Sequence, residues 1–193
     1  VTVKTRLGYE DESLFLDIVR AVDTAGVNEL TVHARTKNHG YRPPAYWEEI
    51  ARAREVSSIN VIANGEIWNP ADALRCLQVT GCTDLMLGRG VLCRPDLPRQ
   101  VAALNNTQAP ESLHWEQIPP LLLHFFELNL ANYDARYAPN PVKQWLAYLR
   151  AYFPQAALLF ESIKRLRDPQ ALHARLRAEV ERVQLDIKMT ATA

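Results

Sequence analysis

The run NVIANGEIWNPADALRCLQVTGCTDLML, residues 60–87, decides how the first half of the chain is read. Asn60–Ala63 is a short apolar strand that gives way to Asn64-Gly65-Glu66. Asn69 then caps a helix with Pro70 at its first position, where a missing N–H leaves no intrahelical bond unmade. That helix stops at Gly81, and Asp84–Leu87 is the next strand. Two strands joined through a helix lie parallel, so the run is one βαβ unit.

The pattern repeats on either side. Val1–Leu7 is a β-rich run closed by Gly8, and Leu14, Ile18 and Val22, with Phe15 and Val19 beside them, recur at helical spacing as far as Gly26. Leu30–His33 is another strand. A polar loop through Pro43 and Pro44 leads from it to a helix around Tyr46–Glu55, and a last helix is expected from about Pro95 to Leu104. Strand starts near residues 2, 29, 60 and 84 make four βα units and hence a parallel sheet. A complete (β/α)8 barrel takes about 250 residues and eight such units. Four units fit either a small open doubly wound sheet or the C-terminal half of a barrel.

After Pro110 the strand signals cease. Leu122, Phe125, Phe126 and Leu130 form the apolar stripe of a helix from about Pro119 to Tyr133. Asn140 is read as the cap of the next helix, with Pro141 at its first position and Val142, Trp145, Leu146 and Leu149 facing inward. A third helix holds Leu159, Ile163 and Leu166. Asp168 and Pro169 open a fourth, with Leu172, Leu176, Val180, Val183 and Ile187 inward. Four amphipathic helices make a bundle. The boundary is expected in Asn105–Pro110, dividing an α/β domain over 1–107 from a helical domain over 108–193.

The 193 residues are 48% hydrophobic and 23% charged, which suits a soluble globular protein and excludes a disordered one. No stretch approaches the ~20 apolar residues of a membrane span. There is no secretory signal, and a first residue of Val1 rather than Met reads as a processed chain or a fragment. Cys76, Cys82 and Cys93 form no even framework and no CxxC pair. Neither a disulfide scaffold nor a metal site is expected, and a reducing cytoplasm is the expected compartment. Lys and Arg balance Asp and Glu at 22 each, so net charge names no partner. Its distribution does: residues 136–177 carry eight bases against Glu161 and Asp168. That excess suits a polyanion, or is simply the solvated surface of helices.

The four strands end in polar or glycine-bearing sequences: Lys4 with Arg6, His33 with Arg35 and Thr36, Asn64-Gly65-Glu66, and Gly88-Arg89-Gly90. Parallel α/β folds bind ligands at the C-terminal ends of their strands, where loops converge and helix N-termini point. In a barrel the loops after the last two strands are the usual phosphate site, and the two glycine tripeptides would fall there. Each alone also fits a plain turn. A lysine on a barrel strand requires an anionic or hydrogen-bonding partner. None of the cysteines has a histidine at a spacing that indicates an activated thiolate.

Together these residues carry a resemblance. Val-Lys-Thr-Arg-Leu-Gly (3–8), Thr-Val-His-Ala-Arg-Thr (31–36), Val-Ile-Ala-Asn-Gly-Glu (61–66) and Leu-Gly-Arg-Gly (87–90) resemble the later barrel motifs of the tRNA-dihydrouridine synthases. Leu30–Tyr41 and Asn64–Asn69 are most similar to the C-type enzymes, and Lys143–Arg150 is similar to a signature of that type's helical domain. The likeness implies an α/β fold: the C-terminal half of a (β/α)8 TIM barrel, four βα units, followed by an all-α helical bundle. It implies an FMN- and NADPH-dependent oxidoreductase of the cytoplasm that reduces a D-loop uridine of tRNA, position sixteen for the C-type, to dihydrouridine.

Under that likeness Lys4 contacts the isoalloxazine ring and His33 lines the flavin site. Asn64, Gly65, Glu66, Gly88 and Arg89 cradle the FMN phosphate. Arg35, Thr36, Lys37 and Tyr41 lie on a loop facing the tRNA, and Lys143, Gln144 and Arg150 on a basic helix that holds it. Tyr148 and Trp145 are either core or base-stacking groups. The family's first barrel half, with its catalytic cysteine, has no counterpart in this sequence, so no residue here is assigned the catalytic role. The chain is expected to be the C-terminal part of a monomeric enzyme and to be inactive alone. It is also expected to self-associate through open strand edges and an apolar inner sheet face. The rival readings are another phosphate-binding barrel oxidoreductase acting on a small molecule, and a non-catalytic RNA-binding module.

Overall fold

A computed structural model describes residues 1–104 and 110–191. The chain divides into two compact units, Val1–Val91 with Asp96–Pro110 and Leu92–Pro95 with Glu111–Ala193. Residues 105–109 of the expected linker lie outside the described residues.

In the first unit the strands β1 (Thr2–Arg6), β2 (Glu29–His33), β3 (Asn60–Asn64) and β4 (Asp84–Met86) alternate with α1 (Phe15–Thr24), α2 (Trp47–Glu55) and α3 (Pro70–Thr80). All three strand pairings are parallel, in the order β1-β2-β3-β4. A doubly wound sheet reverses its strand order partway across. This sheet does not, and has the sequential order of neighbouring staves in a (β/α) barrel. Helix α3 has the caps its sequence calls for. Asn69 Oδ1 accepts the Asp72 N–H at 2.9 Å, and Gly81, at φ 65°, donates to the Leu77 carbonyl at 2.8 Å.

Alternation along the strands sorts the side chains onto two faces. Val3, Leu30, Val32, Val61, Ala63 and Leu85 pack with Phe15, Val19, Ile50, Ala53, Ala73 and Cys76 of the helices into one core. The opposite face carries the rows Lys4–Thr31–Ile62–Asp84 and Arg6–His33–Asn64–Met86. The apolar inner face expected from the sequence is therefore not there. Ile62 and Met86, both half-buried, are its apolar members, and the rest of those two rows is polar.

Beyond β4, α4 (Arg89–Cys93) was not foreseen, and α5 (Leu97–Ala102) starts later than Pro95. Pro95 lacks an N–H and disfavours the helical conformation at Arg94, which separates the two helices.

The second unit opens with a 3₁₀ turn at Trp115–Gln117 and continues through α6 (Ile118–Asn132), α7 (Pro139–Leu149), α8 (Pro154–Ile163) and α9 (Pro169–Ala191). Ile118, Leu122, Phe126, Val142, Leu146, Leu149, Leu159, Ile163, Leu172 and Leu176 share its core. Asp168 accepts the Gln170 and Ala171 N–H groups and so caps α9. Asn140 caps nothing: α7 begins two residues before Pro141, at Pro139, which takes the first helical position itself. Ile187 is half exposed rather than inward, because α9 runs on past the core, and Glu179 is buried instead. Trp145 is half-buried, edge-on to Phe125 at 5.4 Å, with its Nε1 donating to the Leu92 carbonyl at 3.1 Å. No helix is long and apolar enough to cross a membrane among the described residues.

Candidate anion-binding cleft

Parallel strands all deliver their C-terminal ends to one edge of the sheet, and a cleft of about 530 Å³ lies there. Lys4, His33, Asn64, Gly65, Glu66, Gly88 and Arg89 all line it, together with Tyr41. Lys4 has the partner its position demands: its Nζ donates to Asn64 Oδ1 at 3.0 Å, while Asn64 Nδ2 donates to the Met86 carbonyl at 2.6 Å. The amide is thus oriented from both ends. Burial, then the Arg6 charge, holds the Lys4 pKa below the ordinary lysine value.

Glu66 is the hub of the opposite wall. Arg35 Nη2 lies 2.7 Å from Glu66 Oε1 in an ion pair. Arg89 Nη2 donates to the same oxygen at 2.9 Å, and Trp68 Nε1 to Oε2 at 3.0 Å. Burial alone would raise the carboxyl pKa. The approach of Arg35, the Trp68 hydrogen bond and the charges of Arg35 and Arg89 outweigh it, and the group is held below its ordinary value. Arg89 is flanked by two rings, its guanidinium carbon 4.8 Å from the Tyr41 centroid and 4.9 Å from that of Trp68.

His33 reports the field of this cleft. Burial, then the charges of Arg6, Lys4, Arg35 and Arg89, push its pKa down to about 4, so the ring is neutral at pH 7. Those four cations face one carboxylate. The cleft therefore favours an anion, and it offers a neutral imidazole beside it.

Two tRNA-facing expectations need correction. Arg35 is fully buried, with its Nε on the Pro44 carbonyl at 3.0 Å, and Thr36 is buried too. Their loop folds inward because Arg6 Nη1 donates to the Thr36 and Gly40 carbonyls at 2.9 and 3.1 Å. Lys37 stays exposed outside the cleft, while Tyr41, 63% exposed, stands at its rim with Arg6 5.4 Å from its ring centroid. In the helical unit Gln144 and Arg150 are exposed, but Lys143 is half-buried with its Nζ donating to the Leu166 carbonyl. Sequence reading passed over Trp68 as a wall of the cleft. Its place two residues beyond Glu66, in the loop after β3, was the available signal.

Sheet order and cleft together define a (β/α) protein that gathers cations where its strands end. The chain belongs to the dihydrouridine synthase family, whose model matches residues 1–185. It is 45% identical over 168 residues to a tRNA-dihydrouridine(16) synthase of Aquipseudomonas alcaligenes, an alignment covering 87% of this chain and 53% of that protein. A protein of the same name from Pseudomonas syringae pv. tomato is 44% identical, with the same coverage. A third, from Cupriavidus necator, is 41% identical over 100% of this chain and 57% of its own. The chain thus spans about half the length of the curated relatives it matches.

Proposed function

We propose that this chain is the C-terminal portion of a C-type tRNA-dihydrouridine synthase, an FMN- and NADPH-dependent oxidoreductase that reduces uridine at position 16 of the tRNA D-loop. Residues 1–107 would form half of a TIM barrel and hold the flavin, and the helical bundle over 108–193 would hold tRNA. The observation that carries this reading is the convergence of Lys4, His33, Asn64 and Arg89, from four successive strand ends, on one cation-rich cleft.

The donor set fits FMN. Arg89 is held for a phosphate by Glu66 and two rings, and Gly88 leaves open space where a side chain would stand. The Glu66 carboxylate would repel a phosphate, so its side chain holds the arginines and only its backbone faces the anion. Lys4, oriented by Asn64, would place a cation at the flavin ring, where it favours the anionic reduced form. FMN, when bound, supplies the reducing equivalents that saturate the uracil ring. Neutral His33 would line the flavin without adding charge. The chain by itself, with β1 and β4 as unpaired sheet edges, would be inactive and would associate through those edges.

The test is tRNA made in a bacterial strain that lacks position-16 activity and expresses the native-length protein. Dihydrouridine at position 16 is the expected outcome. Dihydrouridine at another position would overturn the C-type assignment. Unmodified tRNA from a protein that oxidises NADPH with a small acceptor would favour the rival barrel oxidoreductase.

A further inference from the structure

The Gly65–Glu66 peptide is the most constrained stretch of the cleft wall. Gly65 has φ 132° and Glu66 φ 53°, and Glu66 is the one non-glycine residue with positive φ among the described residues. Such a conformation is costly for a residue with a Cβ and persists where its surroundings hold it. Part of that hold comes from α2. Trp47 Nε1 donates to the Gly65 carbonyl at 2.9 Å. The indole is packed against the core of the sheet, so it cannot follow a drifting carbonyl.

Trp47 does not line the cleft, whereas Gly65 and Glu66 do. In a trans peptide the C=O and the N–H point to opposite sides, and Pro43-Pro44 is the one cis bond among the described residues. A Gly65 carbonyl fixed on Trp47 therefore fixes the Glu66 N–H on the side away from Trp47. Backbone N–H groups held in this way beside cations are what an anion requires.

We propose that Trp47 is a positioning residue: by holding the Gly65 carbonyl it aims the Glu66 N–H at the phosphate group of a bound flavin. This rests on the reading of the cleft given above. It acts through a group that a flavin without phosphate would not touch, and that separates it from a merely structural role.

The experiment titrates the native-length protein with FMN and with riboflavin, which lacks the phosphate, following flavin fluorescence. Trp47→Phe keeps an aromatic ring at the position and removes the N–H. It should weaken FMN about tenfold, equivalent to about 1.4 kcal/mol, and leave riboflavin unchanged. Gly65→Ala disturbs the same peptide directly, since its Cβ would lie 3.2 Å from Ala45 Cβ and 3.3 Å from His33 Cδ2 at a φ that alanine avoids. It should weaken FMN as well, and riboflavin with it because the His33 ring must give way; unchanged FMN affinity there would overturn the place of this peptide at the phosphate. Equal weakening of both flavins by Trp47→Phe, or unchanged FMN affinity in it, overturns the role of Trp47. Where Trp47→Phe is not recovered folded, Trp47→Tyr, which also lacks the indole N–H, is read in the same way. A wild type that binds the two flavins alike overturns instead the phosphate reading of the cleft.

Discussion

In each unit a glutamate meets two arginines. Glu66 meets Arg35 and Arg89 at the end of β3, and Glu179 meets Arg175 and Arg182 along α9. Both carboxylates are largely covered, at 18% and 7% side-chain exposure. The arginines differ. Arg35 is completely buried, whereas Arg175 and Arg182 are 34% and 49% exposed. Water can recover the helical arginines if their partner is lost, but it cannot reach Arg35. The same triad is thus a surface network in one place and a fixed element of the cleft in the other.

Removing each hub should expose this difference. Glu66→Gln strands a buried guanidinium and should cost about 3 kcal/mol of unfolding free energy. Glu179→Gln releases two arginines to solvent and should cost about 1.5 kcal/mol. Denaturant unfolding of the two variants checks this, and equal midpoint shifts would mean that the burial of Arg35 is not what matters.

Acid should act on the cleft next. The His33 pKa is about 4 when folded, against 6.5 ordinarily. Between these values the unfolded chain takes up a proton that the folded one refuses, so stability falls as pH drops from 6.5 to 4 and levels off below. The shift corresponds to about 3 kcal/mol at most. Glu66 adds a loss in the same direction, since its lowered pKa contributes stability that disappears as pH falls below the ordinary carboxyl value. His33→Gln should flatten the profile between pH 4 and 6.5 without changing it above 7. An unaltered profile would show that neither burial nor the cleft cations lower the pKa of this ring.

The smallest effect concerns the tRNA binding proposed above for the helical unit. The basic excess of residues 136–177 shrinks once partners are known. Arg175 turns to Glu179, Lys164 pairs with Glu161, Lys143 donates to the Leu166 carbonyl, and Arg150 lies over the Phe160 ring. Arg165, Arg167 and Arg177 remain exposed and make no ion pair among the described residues. Replacing Arg165 and Arg167 together with alanine should lower the salt slope of tRNA binding by about 1.4 to 1.8, and Lys143→Ala by less than about one. A larger effect from Lys143 would mean that it leaves its carbonyl to meet the RNA.

Much of this molecule was legible because it depends on neighbours in sequence. The βα units follow from apolar runs of strand and helix period, and from local stops such as Asn69, Pro70 and Gly81. Parallel strands all end on one side, so the gathering of Lys4, His33, Asn64 and Arg89 followed from topology without knowledge of any contact. The polar inner face was legible as well, in the alternation of Thr2, Lys4 and Arg6, but the apolar expectation for a half-barrel displaced it.

What only the tertiary structure decided lies in the loops, where no period says which way a side chain points. Arg35 follows β2 by two residues and could as well have faced solvent. It turns inward because Glu66 and the Pro44 carbonyl, 31 and nine residues away in sequence, are there to receive it. Trp47 lies inside the helix read around Tyr46–Glu55, and nothing in that period pointed to its N–H, which donates to the Gly65 carbonyl. Sequence by itself determined that Lys4, His33, Asn64 and Arg89 reach the cleft, because strand direction and helix stops are set by local interactions. It could not determine which residues hold the cleft in shape, because those bonds join loops far apart in the chain and form only when the sheet brings the loops together.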